Sequence, residues 1–147
     1  MRVIILGCGR VGSTLATMLD AEGHDVTILD LNSDQFRRLG SDFKGTAMVG
    51  TGIDEDVLRR AGIEQADAFI AVTNGDNTNI MSSQIARVVF KVPKVITRIY
   101  DPVRQDTYRG LGLETICPTI LGAQSIKNAL EDYQLMHRAA WVISGPV

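Results

Sequence analysis

Short apolar runs separated by amphipathic stretches recur along the whole chain. Six of these runs show little polar alternation, as expected for strands buried on both faces of a parallel sheet. The predicted strands are residues 3–6, 26–29, 46–49, 68–72, 95–98 and 115–117. The alternation of strands with helical stretches predicts a doubly wound α/β sheet of six strands.

The stretches between the strands show helical spacing of apolar residues. One predicted stripe consists of Val11, Leu15, Met18 and Leu19. A second contains Ile80, Ile85, Val88 and Val89. Asp54 is expected to cap a helix that stops near Gly62.

Composition and charge narrow the class of protein. A chain of 147 residues with 45% apolar and 22% charged residues fits one globular domain. The net charge of -2 gives no overall basic field, so no nucleic-acid partner is expected. No apolar stretch has membrane-spanning length, and the amino terminus has the pattern of a strand rather than a signal peptide. Cys8 and Cys117 fit a reduced cytosolic protein better than a disulfide scaffold.

Three glycines, Gly7, Gly9 and Gly12, form G-x-G-x-x-G between the first strand and the first helix. In such a turn the first glycine permits the tight bend, the second lets a pyrophosphate approach, and the third allows close packing. The helix amino terminus then offers free N–H groups to phosphate. Asp30 follows eighteen residues after Gly12, where a carboxylate can bind ribose hydroxyls. These features predict a nucleotide-binding turn; the alternative is a turn that is tight for structural reasons alone.

Two charged residues refine this prediction. A carboxylate at Asp30 accepts hydrogen bonds from a ribose and repels a 2′-phosphate, which disfavours NADP. The alternative role of Asp30, a cap for the helical stretch at Asn32 and Ser33, is weaker because Ser33 can serve as the cap. Arg10 can reach phosphate oxygens with its guanidinium group, and its alternative is a surface salt bridge.

The sequence resembles the amino-terminal RCK domain, also called KTN or TrkA-N, whose members regulate potassium channels and transporters. The matching segments are GCGRVG at 7–12, Asp30, LRRAGIEQADAFIAVTNGDNTNI at 58–80 and VITRIYDP at 95–102. The resemblance covers about residues 1–137, and the middle segment is its most specific part. It implies a Rossmann-type domain in the cytoplasm that senses NAD(H), ATP, ADP or AMP. It also implies a homodimer that assembles into a ring on a membrane potassium channel or transporter subunit, and so lies at the inner face of the membrane.

Carried over residue by residue, the resemblance places the nucleotide contacts on Gly7, Cys8, Gly9, Arg10, Val11, Gly12, Asp30, Thr51, Thr73, Asn74 and Arg98. Thr73 and Asn74 follow the fourth strand at the edge where an open α/β sheet binds its ligand. Arg98 ends the fifth strand at the same edge, and its alternative is an exposed charged strand end. Asp76 and Asn79 match the family pattern, although Asp76 could instead cap the next helix.

Two positions depart from the family pattern. Thr51 stands after Gly50 where many relatives have aspartate, so a hydrogen-bonding group is kept and a charge is lost. Thr119 follows Pro118 where many relatives have glutamate, so control by a divalent metal ion through this position is not to be assumed.

Catalysis is not expected either. A dehydrogenase needs a second region that presents a hydride acceptor and an acid or base, and only thirty residues follow the sixth strand. Neither His24 nor His137 has oriented partners in the sequence. Two alternatives remain: the cofactor domain of an NAD-dependent oxidoreductase and a structural module with a degenerate pocket. A helix amino terminus could also lower the pKa of Cys8, which leaves a minor redox hypothesis.

The last segment is predicted to be a separate unit. Residues 1–118 form the nucleotide-binding core, and residues 119–147 form a crossover helix with a short tail. Its apolar stripe is Ile120, Ala123, Ile126, Leu130 and Tyr133, widened by Leu121 and Ala129. Only the apolar residues 141–143 remain after this stripe to cover it. The helix therefore either folds back on its own sheet or, as the resemblance implies, crosses to a second subunit.

Overall fold

In the computed structural model, which describes residues 1–144 and the side chains of residues 1–138, six parallel strands form one sheet. The strands are β1 Arg2–Leu6, β2 Asp25–Asp30, β3 Thr46–Val49, β4 Ala68–Ala71, β5 Lys94–Arg98 and β6 Glu114–Ile116. Each predicted strand is confirmed to within one residue at either end. Their order is β3-β2-β1-β4-β5-β6, in which the winding reverses between β1 and β4. This is the strand order of the dinucleotide-binding fold, and a ligand is expected outside the carboxyl ends at the reversal.

Helices connect successive strands. The α-helices are α1 Arg10–Ala21, α2 Glu55–Arg60, α3 Asp76–Gln84, α4 Pro102–Gly110 and α5 Pro118–Ser144. Two 3₁₀ helices, Ser33–Leu39 and Ile63–Gln65, and one π-helix, Ile85–Val89, complete the connections. The predicted boundaries of α2 are confirmed: the Asp54 side chain accepts from the amide of Asp56, and Gly62 adopts φ +89° after the helix.

The core lies on both faces of the sheet because successive strand residues point to opposite sides. On one face Ile4 and Leu6 join a cluster that contains Leu58 and Phe69. On the other face Val3 and Ile5 belong to a cluster with Ala16 of α1 and with other strands. Each fully buried Leu, Ile or Phe contributes about 1.5–3 kcal/mol. The sheet is therefore a rigid support for whatever lies at its carboxyl edge.

The predicted apolar stripe of α1 is wrong at two positions. Val11 and Met18 are 48% and 57% exposed, whereas Gly12 and Ala16 are buried. The reason is the short distance between α1 and the sheet. At the closest approach only Gly12 and Ala16 are small enough to face the sheet. The larger side chains of Val11 and Met18 therefore point outward.

The predicted stripe of α3 is wrong in its second half. Ile80 is buried, but Val88 and Val89 are exposed. The helix changes to π-helical hydrogen bonding at Ile85, where the amide of Phe90 donates to the carbonyl oxygen of Ile85. A wider turn shifts the register of the following side chains, so the period of 3.6 residues no longer predicts which of them are buried.

Over residues 119–138, helix α5 does not cover its own sheet. Residues 119–138 are all exposed, including the apolar side chains of Ile126, Leu130 and Tyr133. The alternative in which α5 folds back on the sheet is therefore wrong for these residues. Residues 141–143, which the sequence left as the only cover for the apolar stripe of α5, lie outside the residues whose side chains are described.

Across the described residues, α5 and the other helices are each too short or too polar to span a membrane.

Candidate functional site

A cavity of about 760 Å³ opens at the carboxyl edge of the sheet. Its size falls in the range of roughly 300–1,000 Å³ that is usual for small-molecule sites. Nine predicted site residues line it: Gly7, Gly9, Arg10, Val11, Asp30, Thr51, Thr73, Asn74 and Arg98. The other two, Cys8 and Gly12, do not reach the cavity. The fold thus brings residues from five separate segments of the chain to one site.

The three glycines of the turn have different physical roles. Gly7 adopts φ +107°, and a Cβ atom there would lie 2.8 Å from the carbonyl oxygen of Val72. A Cβ atom on Gly12 would overlap the carbonyl oxygen of Gly7. Gly9 is different, because a Cβ atom there would meet no protein atom within 4 Å. Gly7 and Gly12 are therefore required by packing, whereas the missing side chain of Gly9 only leaves room in the cavity.

Helix α1 begins at the cavity. Gly9 is its N-cap and provides no side-chain hydrogen bond, and the first turn contains no acidic residue. The first N–H groups of α1 therefore lack an internal acceptor and, with the helix dipole, favour an anion. Arg10 is exposed at the cavity and forms no ion pair with the described residues, so the salt-bridge alternative is not observed.

Asp30 fixes the opposite side of the turn. Its Oδ2 accepts a hydrogen bond from the amide of Cys8 at 2.8 Å, and its Oδ1 accepts from the amide of Asn32 at 2.8 Å. Each carboxylate oxygen has a second lone pair that can accept from a hydroxyl group. The prediction that Ser33 caps the next helix is wrong. Asn32 is the cap, and its Oδ1 accepts from the amide of Asp34 at 3.0 Å.

Cys8 is buried beneath the turn. Its Sγ lies 3.4 Å from the carbonyl oxygen of Gln35 and has no exposed surface. Burial raises the pKa of the Cys8 thiol to about 11, and the negative charge of Asp30 adds to this effect. The expectation of a lowered pKa is wrong because α1 begins two residues later and the thiol faces the core. The redox hypothesis has no support in this geometry.

Asn79 connects the ends of β4 and β5. This fully buried side chain accepts from the amide and the hydroxyl of Thr73, at 2.9 and 2.7 Å. Its Nδ2 donates to the carbonyl oxygens of Thr73 and Arg98, each at 3.0 Å. All four hydrogen bonds of the amide group are thus used. The sequence showed only that Asn79 matches a family pattern, and not this role.

Arg98 is 7% exposed, so the alternative of an exposed charged strand end is wrong. Its Nη2 donates to the carbonyl oxygens of Val72 and Thr73, at 2.6 and 2.9 Å. Its guanidinium group stacks on the ring of Tyr100, 4.7 Å from the ring centroid. Burial lowers the pKa of Arg98 from its ordinary value.

Asp76 supports the loop after β5. Its carboxylate accepts from the amide of Tyr100 at 2.9 Å and makes no capping hydrogen bond in α3. The helix-cap alternative for Asp76 is therefore wrong.

Several lining residues were missed at the sequence level. They are Leu31, Asn32, Gln35, Arg38, Gly52, Thr78, Tyr100 and Pro118, among others. A signal existed for two of them: Gln35 and Arg38 are three residues apart in a helical stretch directly after Asp30, so they share one helix face. The Nε of Arg38 donates to the Oε1 of Gln35 at 3.1 Å.

The strand order, the glycine turn and the carboxylate at the end of β2 define a Rossmann-type domain. Comparison with known families makes the assignment specific, because residues 3–119 match the TrkA-N domain. The chain belongs to the TrkA-N domain family.

Two relatives are named Trk system potassium uptake protein TrkA. The protein from Streptomyces coelicolor is 51% identical over 116 residues, which cover 79% of this chain and 52% of the relative. The protein from Vibrio alginolyticus is 42% identical over 102 residues, which cover 69% of this chain and 22% of the relative. The chain thus spans about half of the first relative and about a fifth of the second.

Solved structures share the fold at low sequence identity. The Kef carboxy-terminal domain of Shewanella denitrificans in its AMP-bound form has a TM-score of 0.75 and 22% identity, covering 98% of this chain and 91% of that one. GsuK bound to ADP has a TM-score of 0.74 and 24% identity, and the match covers 90% of this chain and 34% of the GsuK chain. The GsuK channel bound to NAD has a TM-score of 0.66 and 22% identity, and the match covers 80% of this chain and 21% of the channel chain.

The different roles of the glycines give a stability prediction. Gly12→Ala should lower the free energy of unfolding by about 3 kcal/mol because its Cβ atom overlaps backbone. Gly9→Ala should lower it by no more than about 1 kcal/mol, the difference between glycine and alanine at an N-cap. Urea unfolding followed by circular dichroism measures both. Equal losses in the two variants would contradict the assignment of Gly9 to the cavity.

Proposed function

We propose that this chain is a nucleotide-sensing regulatory domain of a potassium uptake system. The observation that carries the proposal is the cavity bounded by the amino terminus of α1 and by Asp30. The relatives at 51% and 42% identity are named potassium uptake proteins, which supports the same role here. The domain is expected in the cytoplasm, held at the inner face of the membrane by a channel or transporter subunit.

The ligand of this proposal is an adenine nucleotide. Its ribose hydroxyls would donate to Asp30, and its first phosphates would accept from the N–H groups at the start of α1. Arg10 would add a charged contact to phosphate. NAD(H), ATP, ADP and AMP all carry these groups, and structures with this fold are described with AMP, ADP and NAD bound.

The lining of the cavity supports binding rather than catalysis. Among the described lining residues Asp30 is the one carboxylate, and both its oxygens already accept from backbone amides. General acid–base chemistry needs a group that is free to exchange a proton with substrate. We therefore infer that Asp30 is a binding residue and not a general acid or base, and that the chain is a regulatory domain; Tyr100, which also lines the cavity, packs its ring against Arg98. Incubation with NADH and carbonyl acceptors should leave NADH unoxidised.

Helix α5 supplies the interface of the proposed homodimer. Its exposed apolar side chains are Ile120, Leu121, Ile126, Leu130, Tyr133, Leu135 and Met136. Ile120, Ile126, Leu130 and Tyr133 recur at helical spacing and share one face of α5, and an exposed apolar face of this kind marks an interaction site. A second copy of the chain presents the same face, so two α5 helices can pack about a two-fold axis. In this proposal the dimers assemble further into a ring on the membrane subunit.

The nucleotide proposal predicts a ligand-dependent melting temperature. A ligand at a hundred times its Kd stabilises the folded chain by about 2.7 kcal/mol. For a domain of this size the melting temperature should rise by about 5–10 °C. NADP should raise it less than NAD because Asp30 repels the 2′-phosphate. Differential scanning fluorimetry with NADH, NAD, NADP, ATP, ADP and AMP measures the shifts.

Gly9→Ala is the matched control for this experiment, because it is expected to fold and yet to crowd the phosphates. Its melting temperature should not respond to any of these ligands. If millimolar nucleotide fails to stabilise the wild-type chain, the nucleotide-sensor proposal is wrong.

The dimer proposal predicts that charges on the apolar face of α5 separate the subunits. Ile126→Glu with Leu130→Glu should give a monomer at tens of micromolar, whereas the wild-type chain is a dimer or larger. Gln124→Glu with Asn128→Glu is the control, since it adds the same charge to two exposed polar residues of the same helix. Light scattering coupled to size-exclusion chromatography measures the masses. A monomeric wild-type chain would reject α5 as the interface.

A further inference from the structure

Thr73 lines the cavity, but its polar groups already have partners inside the chain. Its amide and its hydroxyl donate to the Oδ1 of Asn79, at 2.9 and 2.7 Å. The hydroxyl oxygen accepts from the amide of Gly75 at 3.2 Å. The carbonyl oxygen accepts from the Nδ2 of Asn79 at 3.0 Å and from the Nη2 of Arg98 at 2.9 Å, which occupies both lone pairs. Thr73 therefore offers a ligand no free donor, and its carbonyl oxygen is saturated.

The contacts that hold Thr73 are costly to break. The side chain of Asn79 is fully buried, so a ligand that displaced Thr73 would leave a buried amide oxygen unpaired. Such a loss outweighs the gain from one new hydrogen bond. Arg98 fastens the same end of β4 a second time, because its Nη2 also donates to the carbonyl oxygen of Val72 at 2.6 Å. A ligand is therefore expected to leave these contacts intact.

Asn74 is in the opposite situation. Its side chain is exposed, lines the cavity and makes no hydrogen bond within the described part of the chain. Both of its neighbours are fixed, because the amide of Gly75 donates to the Thr73 hydroxyl and the carbonyl oxygen of Gly75 accepts from the amide of Asn79 at 3.0 Å. An amide side chain can donate to a phosphate oxygen or accept from a hydroxyl group. Asn74 thus brings free hydrogen-bonding groups to the cavity on a backbone that Asn79 holds in place.

We propose that Asn79 is a positioning residue of this site and that it acts through Asn74, the residue of the loop after β4 that hydrogen-bonds the nucleotide. Thr73 links the two asparagines and does not contact the ligand. A loop that is fixed before the ligand arrives loses little conformational freedom on binding. This inference rests on the proposed nucleotide function and assigns roles within the same site.

The side-chain amide signals of the ¹⁵N-labelled wild-type chain provide the first test. ADP and NAD are titrated in separate samples and followed by NMR. The Nδ2 protons of Asn79 should exchange slowly with solvent in the free chain, and their signals should stay in place at saturation. The signals of the Asn74 side-chain amide should shift. A shift of Asn79 as large as that of Asn74, or an Asn74 that does not respond, overturns the inference.

A double-mutant cycle measured by isothermal titration calorimetry provides the second test. Asn74→Ala should weaken binding about three- to tenfold, as expected for one lost hydrogen bond. Asn79→Ala should weaken binding by a similar factor. The double variant should bind no more weakly than Asn79→Ala alone, because both changes remove the same contact. Asn77→Ala is the matched control: Asn77 is an exposed asparagine of the same helix outside the cavity lining, so this variant should keep the wild-type affinity.

The outcomes are distinguishable. Losses that multiply in the double variant, or an equal loss in Asn77→Ala, overturn this inference and leave the nucleotide proposal intact. If Asn79→Ala does not fold, Thr73→Val takes its place in the cycle, since valine keeps the shape of threonine and removes the hydroxyl bonds to Asn79 and Gly75. The wild-type spectra remain decisive in either case. If the wild-type chain binds neither ADP nor NAD, both proposals fail together.

Discussion

Helix α1 lies so close to the end of strand β1 that no side chain fits at Gly12. This contact fixes where α1 begins and directs its first N–H groups to the carboxyl edge of the sheet. A second close contact, between Gly7 and Val72, joins the same turn to β4 across the reversal of the winding. The position of the cavity follows from these two backbone contacts, and the side chains around it determine what the cavity can bind.

One carboxylate and three arginines line the cavity around the turn: Asp30, Arg10, Arg38 and Arg98. Asp30 bonds to backbone amides on the β2 side, where ribose hydroxyls are expected. Arg98 is buried on the β5 side, and Arg10 stands at the start of α1 between them. Asn79 holds the β4 and β5 ends together through four hydrogen bonds, so the cationic side has a fixed geometry. Together these groups favour an anionic ligand with hydroxyl groups near Asp30.

Local sequence patterns predicted the strands, the glycine turn and the place of Asp30, because each depends on residues that are close together in the chain. The burial of Arg98 and of Cys8 could not be predicted in this way. Arg98 is held in its buried position by a hydrogen bond to the carbonyl oxygen of Val72, which is 26 residues away in the chain. The thiol of Cys8 contacts the carbonyl oxygen of Gln35, which is 27 residues away. The outward-facing Val11 and Val88 depend on how closely a helix approaches the sheet and on a π-helical turn, neither of which apolar spacing encodes.

An NMR titration of the ¹⁵N-labelled chain with ADP tests the central claim most directly, because it locates the ligand on the fold. If a nucleotide binds across the glycine turn, the largest amide shifts should belong to Gly9, Arg10 and Val11, followed by Asn32 beside Asp30. Amides at the amino-terminal ends of the strands, such as Val3 and Val26, should not move. Shifts concentrated at that opposite edge, or no shifts at saturating ADP, would contradict the assignment of this cavity as a nucleotide site.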